Sequence, residues 1–361
     1  MSTILLSQNA AVAIVALVML FFFGALILFG VRRGWTRNGY FSTIATMLAV
    51  AFFFLTFQAV GSAITIQLTG GHIEEHRFIA LAVNGLAEIT VLLAGAYALT
   101  HGARQHVLAI FRLEGLRETP ISAYFLAVPI IFMAQIAGSA ISTLWVRAIQ
   151  EWPLLYHWLD HYETMSNQGV ERMVTATSWE QLIFILAFVA LTPALAEEAL
   201  FRGFAQTNIE RSGRLHTRPI FALIVASIMF AGVHASVFKF PGLFALGLAL
   251  GWMTFRTNNL FVGGFGHAIN NGAIVIALFA SPSVTNSTSG LVSGELQPMQ
   301  ALLALAVSLP LLFGTLFAFK RATESLTARH NAEEELQKLI AQRTGLSAFE
   351  SAYDLHHDEA D

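Results

Sequence analysis

Residues Leu191 to Phe204 read LTPALAEEALFRGF, a run apolar enough to cross a membrane that nevertheless holds Glu197, Glu198 and Arg202. An ionised side chain near a bilayer centre costs on the order of 2.5–3.5 kcal/mol even on a lenient insertion scale, so such groups face a cavity and partners. On a helix Glu198 and Arg202 stand four apart with the acid N-terminal to the base, the favourable order for an ion pair. Glu197 points about 100° away, where Arg202 does not neutralise it. A carboxyl in that position is a candidate general base for a water molecule.

Two more polar groups recur in apolar surroundings. In FAGVHASVF, His234 follows Phe230 by four residues and shares its helical face. In GGFGHAINNG, His267 and Asn271 again share a face, among Gly263, Gly264 and Gly266. Glycines at this density let helices approach closely and leave room beside the polar pair. Each histidine alone reads as a hydrogen-bonded structural residue. Beside Glu197 and Glu198 that reading weakens, because one polar pair suffices to fix helix packing and here there are several. Amide hydrolysis needs a base for water and donors aimed at the developing oxyanion, and these residue types supply both.

Such groups have to be positioned by membrane helices. Of 361 residues, 55% are hydrophobic and only 12% charged, against about 25% charged in a soluble protein, so the expected fold is an all-α polytopic membrane protein. There is no cysteine, which removes disulfides, thiolate catalysis and cysteine metal sites. The 20 basic residues are scattered among the loops and form no patch for nucleic acid. Apolar runs of spanning length, roughly 17–25 residues, fall at about 10–30, 41–68, 78–100, 123–146, 181–206, 220–238, 240–256, 260–280 and 299–319, which predicts about nine transmembrane helices. The first reads as a retained anchor, since no basic residue precedes it and Arg32 and Arg33 follow it. With the N-terminus outside and the C-terminus inside, four of the 20 Lys and Arg (Arg77, Arg147, Arg172 and Lys239) fall on the outer side and the rest on the cytoplasmic half. That bias predicts an N-out, C-in topology.

These spans divide the chain into residues 1–150 with the first four helices, an outer interfacial segment 151–180, a catalytic helix core 181–280, an outer loop and last helix 281–319, and a polar cytoplasmic tail 320–361. The interfacial reading rests on Trp152, Tyr156, Trp158 and Tyr162, residue types that sit at headgroup level. Residues 101–122 are expected to lie along the inner surface, and Ser281 to Gln297 to form a loop holding the sequon Asn286-Ser287-Thr288. Glu88, one turn after Asn84, is a further intramembrane acid, expected to hold two helices together or to touch substrate. Gly247 and Gly251 form a GxxxG face that reads as an internal contact more than a dimer seam.

Taken in order, Glu197-Glu198-x-x-x-Arg202, Phe230-x-x-x-His234 and His267-x-x-x-Asn271 resemble the three-motif signature of the type II CAAX prenyl endopeptidases, also called the CPBP or Abi family of intramembrane proteases. The extended EEALFRGF resembles the bacterial branch, and the likeness covers about residues 180–280. It implies a conical helical core around an intramembrane polar cavity, in a multi-pass protein of the bacterial inner membrane with its site toward the cytoplasm. The implied activity is endopeptidase action on a membrane-associated peptide or protein within the lipid bilayer. It also implies that Glu197, helped by His234, activates water, that His267 and Asn271 stabilise the oxyanion, and that Glu198 and Arg202 hold their helix in place. No cofactor is expected. Were zinc present, its ligands would be Glu197, His234 and His267, although no HExxH occurs and adjacent residues on one helix do not readily turn toward one ion. Two other classes compete. A proton-coupled transporter would relay through the same Glu/His cluster, but repeat-related broken helices are missing. A non-catalytic immunity or scaffold protein would keep the fold and bind, and the intact motif residues argue against it.

Overall fold

The computed structural model describes residues 36–37, 39–212, 218–280 and 297–326, with 328, 332 and 336. The expected first span at 10–30, most of the outer loop with its sequon at 286, and the end of the tail lie outside the described residues. A short antiparallel pair, β1 (Thr36–Arg37) and β2 (Tyr40–Phe41), leads into a bundle of helices. In chain order these are α1 (Thr43–Thr69), α2 (Arg77–Gly102), the single turn α3 (Val107–Ile110), α4 (Ile121–Gln150) and α5 (Pro153–Val174). They are followed by α6 (Trp179–Arg211), α7 (Arg218–Val233), α8 (Phe240–Thr257), α9 (Leu260–Ala280) and α10 (Pro298–Ala322).

Local chemistry sets several of these boundaries. Ser42 Oγ accepts from Ala45 N at 3.3 Å to start α1, and Gly70 at φ +61° ends it in the left-handed conformation. Proline occupies the first turn of α5, α8 and α10, where its missing N–H costs nothing.

The chain forms an all-α polytopic membrane protein. Among the described residues six helices, α1, α2, α4, α6, α9 and α10, are long and apolar enough to cross a bilayer. The expected spans at 220–238 and 240–256 are helical too, but shorter: α7 has 16 residues and α8 has 18. At 1.5 Å per residue α7 reaches about 24 Å, less than a hydrocarbon core of about 30 Å. It stops where the chain turns at His234 and Ala235, the latter at φ +50°. α5 is amphipathic and outside the spanning set, exposing Leu154, Trp158 and Met165 while burying Leu159 and Glu163.

α4 lies at the centre of one half, where Ala127, Ile130 and Ile131 pack with Leu246 and Leu250 of α8, Val262 of α9 and Phe319 of α10. In the other half, Phe52 and Phe53 of α1 and Leu92 of α2 pack against Phe201 and Phe204 of α6. The GxxxG face of α8 is internal: a Cβ at Gly247 would meet Ser227 Cβ at 3.1 Å, and one at Gly251 would meet Gln206 Oε1 at 2.8 Å. Residues 101–122 are partly exposed and partly anchored: Gln105, Ile110 and Arg112 are buried, Arg112 pairs with Glu210, and the Arg112 carbonyl accepts from Leu260 N at 3.1 Å. Gly115 N also donates to Asn258 O at 3.1 Å, so this stretch clips α6 to the α8–α9 turn.

Two of the spans are not α-helical throughout. α2 widens to a π-helix over Glu88–Leu93, and α6 does so twice, over Leu186–Leu191 and Ala199–Ala205. Such segments are rare and gather at functional sites. All three border one polar cluster.

Candidate active site

α6 supplies the acids. Glu198 is 0% exposed and Arg202 1% exposed, with Arg202 Nη1 2.7 Å from Glu198 Oε1. The pair bridges from the α-helical stretch into the second π segment, so the expected i, i+4 pairing persists across a change of helix type. The Arg202 guanidinium also lies 4.2 Å from the centroid of the Phe230 ring on α7, a cation–π contact strengthened by exclusion of water. The same ring meets His234 at 4.9 Å and His267 at 5.7 Å between centroids, both edge to face. One phenyl group therefore fixes a guanidinium and two imidazoles.

α9 brings His267. Its Nδ1 lies 2.9 Å from Glu198 Oε1, and its Nε2 lies 4.0 Å from Glu197 Oε2, beyond hydrogen-bond reach. An ionised carboxylate only accepts, so the Nδ1 atom carries the hydrogen. Close approach depends on Gly263, where a Cβ would meet Glu198 Oε2 at 3.0 Å and press on Thr254 Oγ1. Glu197 Oε2, Glu198 Oε2, Arg202 Nη2 and Thr254 Oγ1 are all buried without a hydrogen-bond partner. Unsatisfied buried polar atoms are few in a folded chain, and here four collect in one place.

The other two expected site residues are placed differently. His234 is the first residue after α7, exposed, with Nδ1 2.7 Å from Phe230 O. A carbonyl only accepts, so the hydrogen sits on Nδ1 and Nε2 offers a lone pair. No hydrogen bond or ion pair joins His234 to Glu197 among the described residues; Phe230 connects it to His267 and Arg202. Asn271 Nδ2 donates to Val189 O at 3.1 Å, and Asn271 Oδ1 accepts from Asn270 Nδ2 at 3.2 Å. Asn271 reaches across from α9 to the Val189 carbonyl, in the turn before Pro193, which has no N–H of its own to give.

The three ligands of the zinc alternative, Glu197, His234 and His267, are not brought to one point: His234 stands exposed after α7, and among the described residues no three His, Asp or Glu side chains are grouped to hold an ion.

Sequence reasoning missed the tertiary partner of Glu88. This acid, 7% exposed at the start of the π segment of α2, stands beside Glu197 where α2 packs on α6. Asn84 does not serve it, donating instead to Ala80 O at 2.8 Å on its own helix. An acid without a cation at helical spacing in an apolar run signals a partner across a helix interface. Which partner is a question of tertiary packing.

Residues 179–273 match the family model described as Type II CAAX prenyl endopeptidase Rce1-like. The matched stretch contains Glu197, Glu198, Arg202, Phe230, His234, His267 and Asn271, and leaves Glu88 outside. No curated protein and no solved structure matches the chain.

Proposed function

We propose, from the likeness of residues 179–273 to the Type II CAAX prenyl endopeptidase Rce1-like family, that the chain hydrolyses a peptide bond of a membrane-associated peptide or protein, with Glu197 activating the water. The observation that supports this most is the contrast between adjacent acids. Glu198 is occupied by Arg202 and His267, while Glu197 Oε2 is buried, lacks a donor and faces His267 Nε2 at 4.0 Å. One acid is held by its neighbours and the other is free to take a proton.

In the proposed reaction the water oxygen attacks the carbonyl carbon as Glu197 takes one of its protons. The carbonyl π electrons move to oxygen, and the oxyanion accepts hydrogen bonds from protonated His267 Nε2 and from the Asn271 N–H not engaged with Val189. Collapse breaks the C–N bond, and Glu197 returns its proton to the leaving amine, giving a carboxylic acid and an amine, which exchange the remaining water proton to become carboxylate and ammonium. His234, its Nδ1 tied to Phe230 O, offers Nε2 as a second acceptor on the water. No metal enters this sequence. The Lys/Arg distribution supports a site on the cytoplasmic side of a multi-pass cell-membrane protein.

The test is cleavage of membrane-anchored peptides by the protein in liposomes, with new termini read by mass spectrometry. Glu197→Gln is expected to lower the rate by about 10²–10⁴-fold with unchanged thermal unfolding, and a chelator to leave the wild-type rate unaltered. Undiminished cleavage by Glu197→Gln would remove Glu197 from the mechanism. Loss on chelation that zinc restores would put a metal into it.

A further inference from the structure

Asn270 is a buried polar residue of α9 that the proposed reaction leaves unused. It is 8% exposed, one position before Asn271 and three after His267. Its carboxamide lies against that of Asn271, with 3.2 Å between Asn270 Nδ2 and Asn271 Oδ1. Asn271 in turn reaches across the helix interface to α6, its Nδ2 3.1 Å from Val189 O in the first π segment. The two helices run close at this point: a Cβ on Gly272, the next residue, would meet Leu186 Cδ2 at 3.6 Å and Ala190 Cβ at 3.8 Å.

These contacts leave one orientation for each amide. A backbone carbonyl only accepts, so the end of Asn271 that meets Val189 O is its NH2 group and the other end is its oxygen. An amide oxygen also only accepts, so the atom of Asn270 that faces it is a donor. The NH2 group of Asn271 carries two hydrogens, and Val189 takes one of them. The second is the N–H that the proposed reaction aims at the oxyanion. Accepting a hydrogen bond at the oxygen polarises the amide, which makes its N–H groups stronger donors in a low-dielectric interior.

We propose that Asn270 is a positioning residue for Asn271: its amide donates the hydrogen bond that holds the Asn271 oxygen back and keeps the free Asn271 N–H aimed at the developing oxyanion. This rests on the proposed function for its consequence in rate, though not for the hydrogen bond itself. Asn270 exchanges no proton, so atoms and charges in the reaction above are unchanged. Preorganised donors stabilise charge because they need not turn as it develops. A carboxamide anchored at one hydrogen alone could still swing about its last torsion, which is broad and roughly two-fold; the second anchor, on its oxygen, removes that freedom.

The experiment is a double-mutant cycle in liposomes over Asn270→Leu, Asn271→Ala and the two together. Leucine keeps a branched side chain and has no donor. Asn271→Ala is expected to lose about 10²–10³-fold in kcat, as for one oxyanion donor, and Asn270→Leu about tenfold with little change in KM. The double variant is expected to be no slower than Asn271→Ala, because Asn270 acts through the group already removed. Losses that multiply, as separate structural defects would, overturn the proposal, and so does an Asn270→Leu or an Asn271→Ala protein with the wild-type kcat. Should Asn270→Leu fail to fold, Asn270→Ala runs the same cycle. The contact is also read without turnover, in a side-chain amide NMR spectrum of protein carrying labelled asparagine. The Asn271 pair, assigned by its loss in Asn271→Ala, is expected to shift in Asn270→Leu, and an unshifted pair overturns the hydrogen bond. A wild type that cleaves nothing while the pair shifts would sink the proposed function and leave the hydrogen bond standing.

Discussion

Glu163 and Glu197 are both acids inside this helical protein, and their surroundings treat them in opposite ways. Glu163, 3% exposed on α5, accepts from Ser236 Oγ on both oxygens, at 2.9 and 2.8 Å, and from Phe238 N at 3.1 Å. Lys239 stands beside it and hydrogen-bonds Asn167. Burial lowers the pKa of the Lys239 ammonium, and the Glu163 charge pulls it partly back. A whole turn, residues 236–239, is thus wound around one carboxylate. Glu197 Oε2 has no donor, and its nearest neighbours are a second acid and a histidine beyond hydrogen-bond reach. A saturated carboxylate is spent on structure, whereas one left short of donors keeps basicity for chemistry. Glu198 is intermediate, with one oxygen serving Arg202 and His267 and the other bare.

If that contrast is right, the adjacent acids of α6 separate under mutation. Glu198→Ala leaves Arg202 buried with its ion partner removed, a loss of about 3–5 kcal/mol for a buried pair. Thermal unfolding in detergent should register it as a large drop, with activity lost because the fold is lost. Glu197→Gln should unfold where wild type does. A Glu198→Ala protein as stable as wild type, beside an unstable Glu197→Gln, would reverse the roles assigned to the two residues.

Glu163 tests the other side of the comparison. Hydrogen bonds to a charged group are worth about 1.5–3 kcal/mol, so Glu163→Ala is expected to destabilise by about that amount. Its turn follows His234 directly, so cleavage should fall as the turn loosens, and Glu163→Gln, which keeps an acceptor oxygen, should restore part of both. The stability change is the deciding readout. A Glu163→Ala variant with wild-type unfolding and no activity would mean that a saturated carboxylate can also belong to the chemistry.

Much of this organisation is legible in the chain. Apolar runs locate the described helices other than α3 and α5, and the spacing of Glu198 and Arg202 predicts their ion pair, because both depend on local periodicity. The same spacing turns Glu197 away from that pair. The π segments are not legible, since a run such as Leu186–Leu191 fits either helix type and the choice depends on the bundle around it. Nor is the meeting of Glu88 with Glu197, which are distant in sequence and joined only when α2 packs on α6. The match of Asn271 to Val189 lies between these cases. Pro193 announces that its turn lacks an N–H, but only the fold says which side chain reaches the Val189 carbonyl.

The smallest expected effect sharpens the contrast further, because it presses on Glu198 without removing any charge. A Cβ on Gly263 would meet Glu198 Oε2 at 3.0 Å and collide with Thr254 Oγ1. Overpacking of this kind costs about 1–3 kcal/mol. The lower end is expected here, since Thr254 Oγ1 has no hydrogen bond to lose and can turn aside. Glu198 has less freedom, being held by Arg202 and His267. Gly263→Ala should therefore lower the unfolding temperature modestly, and Thr254→Ala in the same chain should return part of the loss by clearing the colliding hydroxyl. The two substitutions should be non-additive, as contacting residues are. Strict additivity would mean that Gly263 does not set the approach of α9 to Glu198, and that His267 is brought to its acid by some other contact.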